Sequence, residues 1–225
     1  TDSALKVNVF TPDQAGTVYV AYGKSAGTYD QQTTQSSLSA GTPVELALTN
    51  LAANTQYYYR LYYRSSGSTA FAALDEHSFH TARPPGQSFT FTVQADSHLD
   101  ENSDLRIYQT TLGNILADRP DFHIDLGDTF MTEKYSQPLT ATQQPAQSAD
   151  VVIARYRYER ANFGLITHSI PLFLVNGNHD GELGWLLDGS AQNLPIWATT
   201  ARHGYFLNPA PSSFFGGDSL SQPYV

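Results

Sequence analysis

The sequence predicts an all-β sandwich followed by an α/β domain, and three observations carry that reading. Residues 1–81 hold short segments of period-two or β-rich character with no competing helical repeat. A Pro-Pro-Gly stretch then interrupts the pattern, since it can continue neither a central strand nor a helix. Beyond it, β-rich segments alternate with helical ones, the rhythm of parallel strands joined by crossovers. The 225 residues allow one or two domains, at roughly 150 residues per domain, each with a sizeable core.

In the first domain, residues 1–81, the strand candidates are TVYVAYG (17–23), PVELAL (43–48), QYYYRLYY (56–63) and HSFHT (77–81). Residues 24–42 are rich in Ser, Thr, Gln and Gly and read as turns and a crossover. Leu51 to Tyr57, followed by Tyr58-Tyr59-Arg60-Leu61, resembles the tyrosine-corner strand of fibronectin type III sandwiches, with Tyr57 as the corner residue. The alternative is that Tyr57 to Tyr59 are cross-strand packing aromatics. Residues 82–87 form the linker.

The second domain, residues 88–225, opens with the strand FTFTVQAD (89–96). A helix follows: Ser103 is its candidate cap, Asp104 complements its dipole, and Leu105, Tyr108, Leu112, Ile115 and Leu116 form one apolar face. Arg119-Pro120 ends it, and DFHIDLGD (121–128) is the next strand. The polar segment 131–150 reads as a long surface loop, either functional or mobile, before a helix over about 150–167 and a third strand, PLFLVN (171–176).

Composition sets the chemical limits. Apolar residues make up 40% and aromatics 12%, as in globular proteins, but charged residues only 15%, against a usual ~25%. Asp and Glu number 21 against 12 Lys and Arg, a net charge of -9. That balance argues against binding along a nucleic-acid backbone or on an anionic membrane and favours cations. The absence of cysteine excludes disulfides, thiolate zinc sites and cysteine nucleophiles. No apolar run is long enough to span a bilayer. The chain starts at Thr1 without an initiator Met, which reads as a processed or trimmed N-terminus.

The chemistry collects at three strand ends: Asp96-Ser97-His98, Gly127-Asp128 and Gly177-Asn178-His179-Asp180. In a parallel sheet the carboxyl ends of the strands share one edge, where ligands bind. Carboxylate, imidazole and amide oxygen are ligand types suited to divalent metals. Each motif alone is weak; their order and placement carry the signal.

The three motifs resemble those of the calcineurin-like metallophosphoesterases, within which the purple-acid-phosphatase-like and alkaline-phosphatase-like members carry a fibronectin-like N-terminal sandwich. The resemblance implies that residues 88–225 are the N-terminal part of the phosphoesterase domain, the first half of a β-sandwich core flanked by helices. It implies that Asp96 and His98 hold one metal, Asp128 bridges two and Asn178 holds the second, with His179 beside the substrate as proton or hydrogen-bond donor. Asp180 either orients that imidazole or is a turn acceptor. The implied cofactors are two divalent or trivalent ions, drawn from Fe, Zn and Mn. The implied reaction is hydrolysis of a small phosphate mono- or diester by a bridging metal hydroxide. Two metals roughly 3.5–4 Å apart neutralise the ester, lower the pKa of water and clamp attacking and leaving oxygens in line. A nucleotidase or nucleotide phosphodiesterase is an alternative within that chemistry, and a non-catalytic binding or adhesion module on a degenerate scaffold is the alternative outside it.

Two departures qualify the resemblance. The purple phosphatases place an iron-binding Tyr three residues after the bridging Asp, where this chain has Met131, so a tyrosinate-ferric centre is disfavoured; Tyr135 is too distant to replace it. The family's late strand-end His and Gly-His-x-His motif are also absent, so the C-terminus reads as cut short and the piece is expected to bind metal weakly and turn over poorly. His77, His80, His123 and His168 read as structural, and His203 is left out of the site for want of strand context. Asp125 reads as a sheet-flank carboxylate, with support of the site from behind as the alternative. The resemblance and the low charge content point to an extracellular or periplasmic location, with no membrane partner and no nucleic acid.

Overall fold

A computed structural model describes residues 2–100, 102–132, 145–181 and 186–207. The chain divides into two compact units: unit one comprises residues 1–91, 118–122 and 167–171, and unit two the remainder.

Unit one is built from antiparallel strands. β1 (Leu5–Val9) pairs with β5 (Val44–Leu48). A larger sheet runs β3 (Gln31–Gln32), β2 (Gly16–Gly23), β6 (Gln56–Ser65), β7 (Ala72–His80), with β4 (Ser36–Leu38) also on β2. Alternating side chains from both sheets meet in one core of Val9, Val18, Val20, Leu46, Leu48, Tyr57 and Phe79. Each such side chain contributes about 1.5–3 kcal/mol by leaving water. Tyr57 is buried, its ring stacks on Phe79 and its hydroxyl accepts a hydrogen bond from Ala52 N at 2.9 Å, so it both packs and ties the strand to the preceding backbone. β7 starts five residues before the HSFHT segment because its register against β6 shifts between Arg60 and Tyr62, an irregularity that breaks the alternation visible in sequence.

Unit two holds a three-stranded sheet of order β10 (Leu172–Leu174), β9 (Phe122–Asp125), β8 (Phe91–Gln94). β10 and β9 are parallel. The bonds Asp121 N to Thr90 O and Leu126 N to Gln94 O advance together along β9 and β8, so that pair is parallel too. All three strands therefore end on one edge. The helices are α1 (Leu105–Asp118), α2 (Ala149–Thr167) and α3 (Leu194–Tyr205). No helix among the described residues is long and apolar enough to cross a membrane.

The caps differ from expectation by one position. Asp104, rather than Ser103, caps α1: its carboxylate accepts from Arg106 N at 2.9 Å. Ser103 is occupied with the preceding loop, meeting Asp100 through both N–H and carboxylate. Asn193 caps α3 and accepts from Ile196 N. His203 lies inside the last turn of α3.

The sheet of unit two is polar toward its buried side. His123 and Asp125 of β9 are fully buried, while Val93, Leu126, Phe173 and Val175 are exposed. His123 Nδ1 bonds Thr92 Oγ1 at 2.8 Å, a structural role. α2 continues this theme: its buried stripe includes Val152, Tyr156, Phe163 and Ile166 but also Arg155, Glu159 and Asn162.

Candidate metal centre

The loop after β8 carries Asp96 and His98, and the loop after β9 carries Asp128. Backbone bonds lace the two loops together, Asp96 N to Gly127 O and His98 N to Asp128 O, both at 3.0 Å. The loop after β10 joins them where His179 N donates to Asp128 Oδ1 at 2.8 Å. The three strand-end motifs are thus one site, as a shared sheet edge requires.

Glycine at two motif positions permits the close approach. A Cβ on Gly127 would overlap the backbone N of Gly177, and a Cβ on Gly177 would overlap the backbone N and Oδ1 of Asp128. Gly127 also has φ +93°, a conformation that disfavours side chains. Around it, Asp96, His98, Leu99, Asp128 and Met131 all lie in the left-handed region, with φ between 46° and 60°. Each costs on the order of 1–3 kcal/mol and persists only where surrounding contacts over-determine it, a pattern typical of functional sites.

Asp96, His98 and Asp128 form a group whose candidate ligand atoms all lie within 4.8 Å of one another. His98 Nε2 is 3.6 Å from Asp96 Oδ1 and 3.7 Å from Asp128 Oδ2. It is buried yet has no hydrogen-bond partner among the described residues. A buried imidazole nitrogen normally finds a partner. Here it faces two carboxylates at the spacing of donors around one ion held at about 2.0–2.2 Å. The donor set of two carboxylates and one imidazole therefore fits a divalent metal of the Mn, Zn or Fe kind. The Asp96 side chain is 69% exposed and that of Asp128 13%, so the group opens on one side.

The other sequence-derived residues sit around this group. The His179 ring lies 5.7 Å from that of His98, edge to face. Asn178, exposed, stands between Gly177 and His179 in the loop after β10. Asp180 is buried, and its carboxylate collects backbone donors: Oδ1 accepts from Thr129 N at 2.8 Å and Phe130 N at 3.1 Å, and Oδ2 accepts from Asp128 N at 3.1 Å and from Gly177 N. Met131, three residues after Asp128, is buried. Tyr135, most of the 131–150 loop and everything after residue 207 lie outside the described residues.

Asp125 supports the loop from behind rather than lying on the sheet flank. Its carboxylate accepts from Gly127 N and Thr129 Oγ1, both at 2.9 Å, and from Gln94 Nε2. Burial is the main cause that raises its pKa. Sequence reading passed over Arg155 and Glu159, both fully buried in α2 and 3.7 Å apart. Burial pushes the Glu159 carboxyl up to about 8, against the pull of Arg155. The available signal was a charged i, i+4 pair on the same stripe as Val152, Tyr156, Phe163 and Ile166.

No protein-family model matches the chain, and no curated protein matches it in sequence. Solved structures do resemble it. A purple acid phosphatase, PPD1, from yellow lupin (Lupinus luteus) seeds aligns over 98% of this chain and 41% of its own, with TM-score 0.66 and 16% identity. PhoD aligns over 91% of this chain and 44% of its own, with TM-score 0.57 and 13% identity. At such identities the likeness is one of fold, and the chain spans less than half of either protein.

Proposed function

We propose that this chain is part of a metal-dependent phosphoesterase. The observation that carries the reading is the buried, unpartnered His98 Nε2 facing Asp96 and Asp128 at the common edge of the sheet. The fold likeness to a purple acid phosphatase and to PhoD supports it. Asp96 and His98 would hold one metal, Asp128 would serve both, and Asn178 would contribute to a second. A bound metal pair supplies charge neutralisation for a phosphate ester and acidifies water. His179, beside His98, offers its imidazole to the leaving-group oxygen as acid or hydrogen-bond donor. Asp180 and Asp125 both accept backbone N–H groups of the Asp128 loop and hold it in place. The substrate class is a small phosphate mono- or diester, and the exposed side of Asp96 is its route of entry.

Titration of the 225-residue chain with Mn²⁺, Zn²⁺ and Co²⁺ tests this reading. Binding that is lost in Asp128→Ala and His98→Ala, with folding intact, is the expected result. Hydrolysis of p-nitrophenyl phosphate against bis(p-nitrophenyl) phosphate then separates monoester from diester preference. A folded wild-type chain that binds none of the three metals would overturn the proposal.

A further inference from the structure

The Arg155 guanidinium is buried in unit two and donates to four backbone carbonyl oxygens of the loops that follow β8 and β9. Nε donates to Phe130 O, Nη2 to His98 O and to Thr129 O at 3.2 Å, and Nη1 to Leu99 O at 3.4 Å. We infer that Arg155 is the positioning residue that sets the backbone of the two loops carrying Asp96, His98 and Asp128. The inference rests on the proposed metal site for its purpose, though not for its geometry.

Three features single this residue out. A buried guanidinium carries a heavy desolvation cost, and the 3.7 Å ion pair to Glu159 is too long to be a hydrogen bond, so the carbonyls provide the direct contacts. His98 and Leu99 are consecutive left-handed residues, a conformation needing outside support, and their two carbonyls are both Arg155 acceptors. Finally, the peptide between Thr129 and Phe130 is gripped at both ends. Its carbonyl accepts from Arg155 and its N–H donates to Asp180 Oδ1.

Arg155 and Asp180 thus form complementary clamps. The buried cation collects carbonyls from residues 98, 99, 129 and 130, and the buried anion collects N–H groups from residues 128, 129, 130 and 177. Only the planar fork of arginine spans four acceptors from two loops; a lysine ammonium is a point donor with three hydrogens. Rotating the peptides at 98–99 or 129–130 would turn His98 and Asp128 away from each other. The effect on a metal would therefore pass through the loop backbone, as for residues that orient ligands without touching the ion.

The test compares wild type, Arg155→Lys and the double variant Arg155→Met/Glu159→Leu, which removes both buried ionisable side chains at similar volume and guards against a folding failure of the single change. Two readouts are taken on folded protein. The first is amide hydrogen exchange at residues 96–99 and 128–131 without metal, referenced to β2 and β6 of unit one. The second is Co²⁺ affinity and its visible spectrum. Faster exchange confined to the two loops, with Co²⁺ binding weakened about tenfold or more and a changed spectrum, is the expected result. Wild-type loop exchange in both folded variants would overturn the inference, as would unchanged affinity and spectrum. If wild type itself binds no Co²⁺, the metal reading falls, and the exchange comparison still decides whether Arg155 sets the loops.

Discussion

Replacing Asp180 by Asn changes one oxygen to an amide nitrogen at a site where the carboxylate accepts from backbone donors. The buried carboxylate accepts from four N–H groups, two on each oxygen. The asparagine oxygen keeps one pair, Thr129 and Phe130 or Asp128 and Gly177, while its NH₂ confronts the other pair donor to donor. Each lost bond to a charged acceptor that leaves a buried donor unpaired costs about 1.5–3 kcal/mol, so the substitution should destabilise unit two by roughly 3–6 kcal/mol. Against a typical total of about 5–15 kcal/mol this is a large fraction. Trp197 lies in α3, and unit one contains no tryptophan, so its fluorescence during urea unfolding follows unit two specifically. A midpoint shift corresponding to less than about 0.5 kcal/mol, at unchanged slope, would refute the clamp, because no buried four-donor acceptor can be halved so cheaply.

Three further outcomes are expected. Gly177→Ala drives a methyl into Asp128 N and Oδ1 and should cost at least about 1–3 kcal/mol while weakening metal binding, measured by the same unfolding curve and by Co²⁺ titration. Glu159, raised from 4.5 to about 8, binds its proton more tightly folded than unfolded. Its contribution is therefore complete below the unfolded value and is lost as pH rises from about 4.5 toward 8, at up to roughly 1.4 kcal/mol per pH unit. Urea midpoints across that window should fall less steeply in Glu159→Gln, and parallel curves for the two proteins would contradict the assignment. Tyr57→Phe removes the acceptor for Ala52 N and should lower the stability of unit one by about 1–2 kcal/mol, read from its near-ultraviolet dichroism on heating.

How legible the site was depends on what each residue does. Asp96, His98, Asp128 and His179 stood out because ligating and acid–base chemistry needs particular side-chain types, and those types followed directly after strands. Arg155 did not, because it donates to backbone carbonyls 25 to 57 residues away in sequence, in partnerships that no local pattern records, and neither did Glu159, its buried neighbour. Asp125 fell between. Its alternation with Ile124 and Leu126 was plain, but which face of the sheet is buried is decided by what packs there, and the exposed face of unit two carries Val93, Leu126, Phe173 and Val175. Apolar alternation alone would have chosen that face as the inner one.

By itself the sequence determined the order of elements, since turn residues and hydrophobic period act locally, and it determined the chemical types gathered at the strand ends. The tertiary structure decided how those ends meet. Gly127 and Gly177 interlock only because the loops after β9 and β10 come within a methyl's width of each other. Four left-handed residues, Asp96, His98, Leu99 and Asp128, are held in place by bonds from Asp180, Arg155 and neighbouring backbone. His98 Nε2 faces carboxylates from two different loops, 3.6 Å from Asp96 and 3.7 Å from Asp128, a juxtaposition that no single segment encodes.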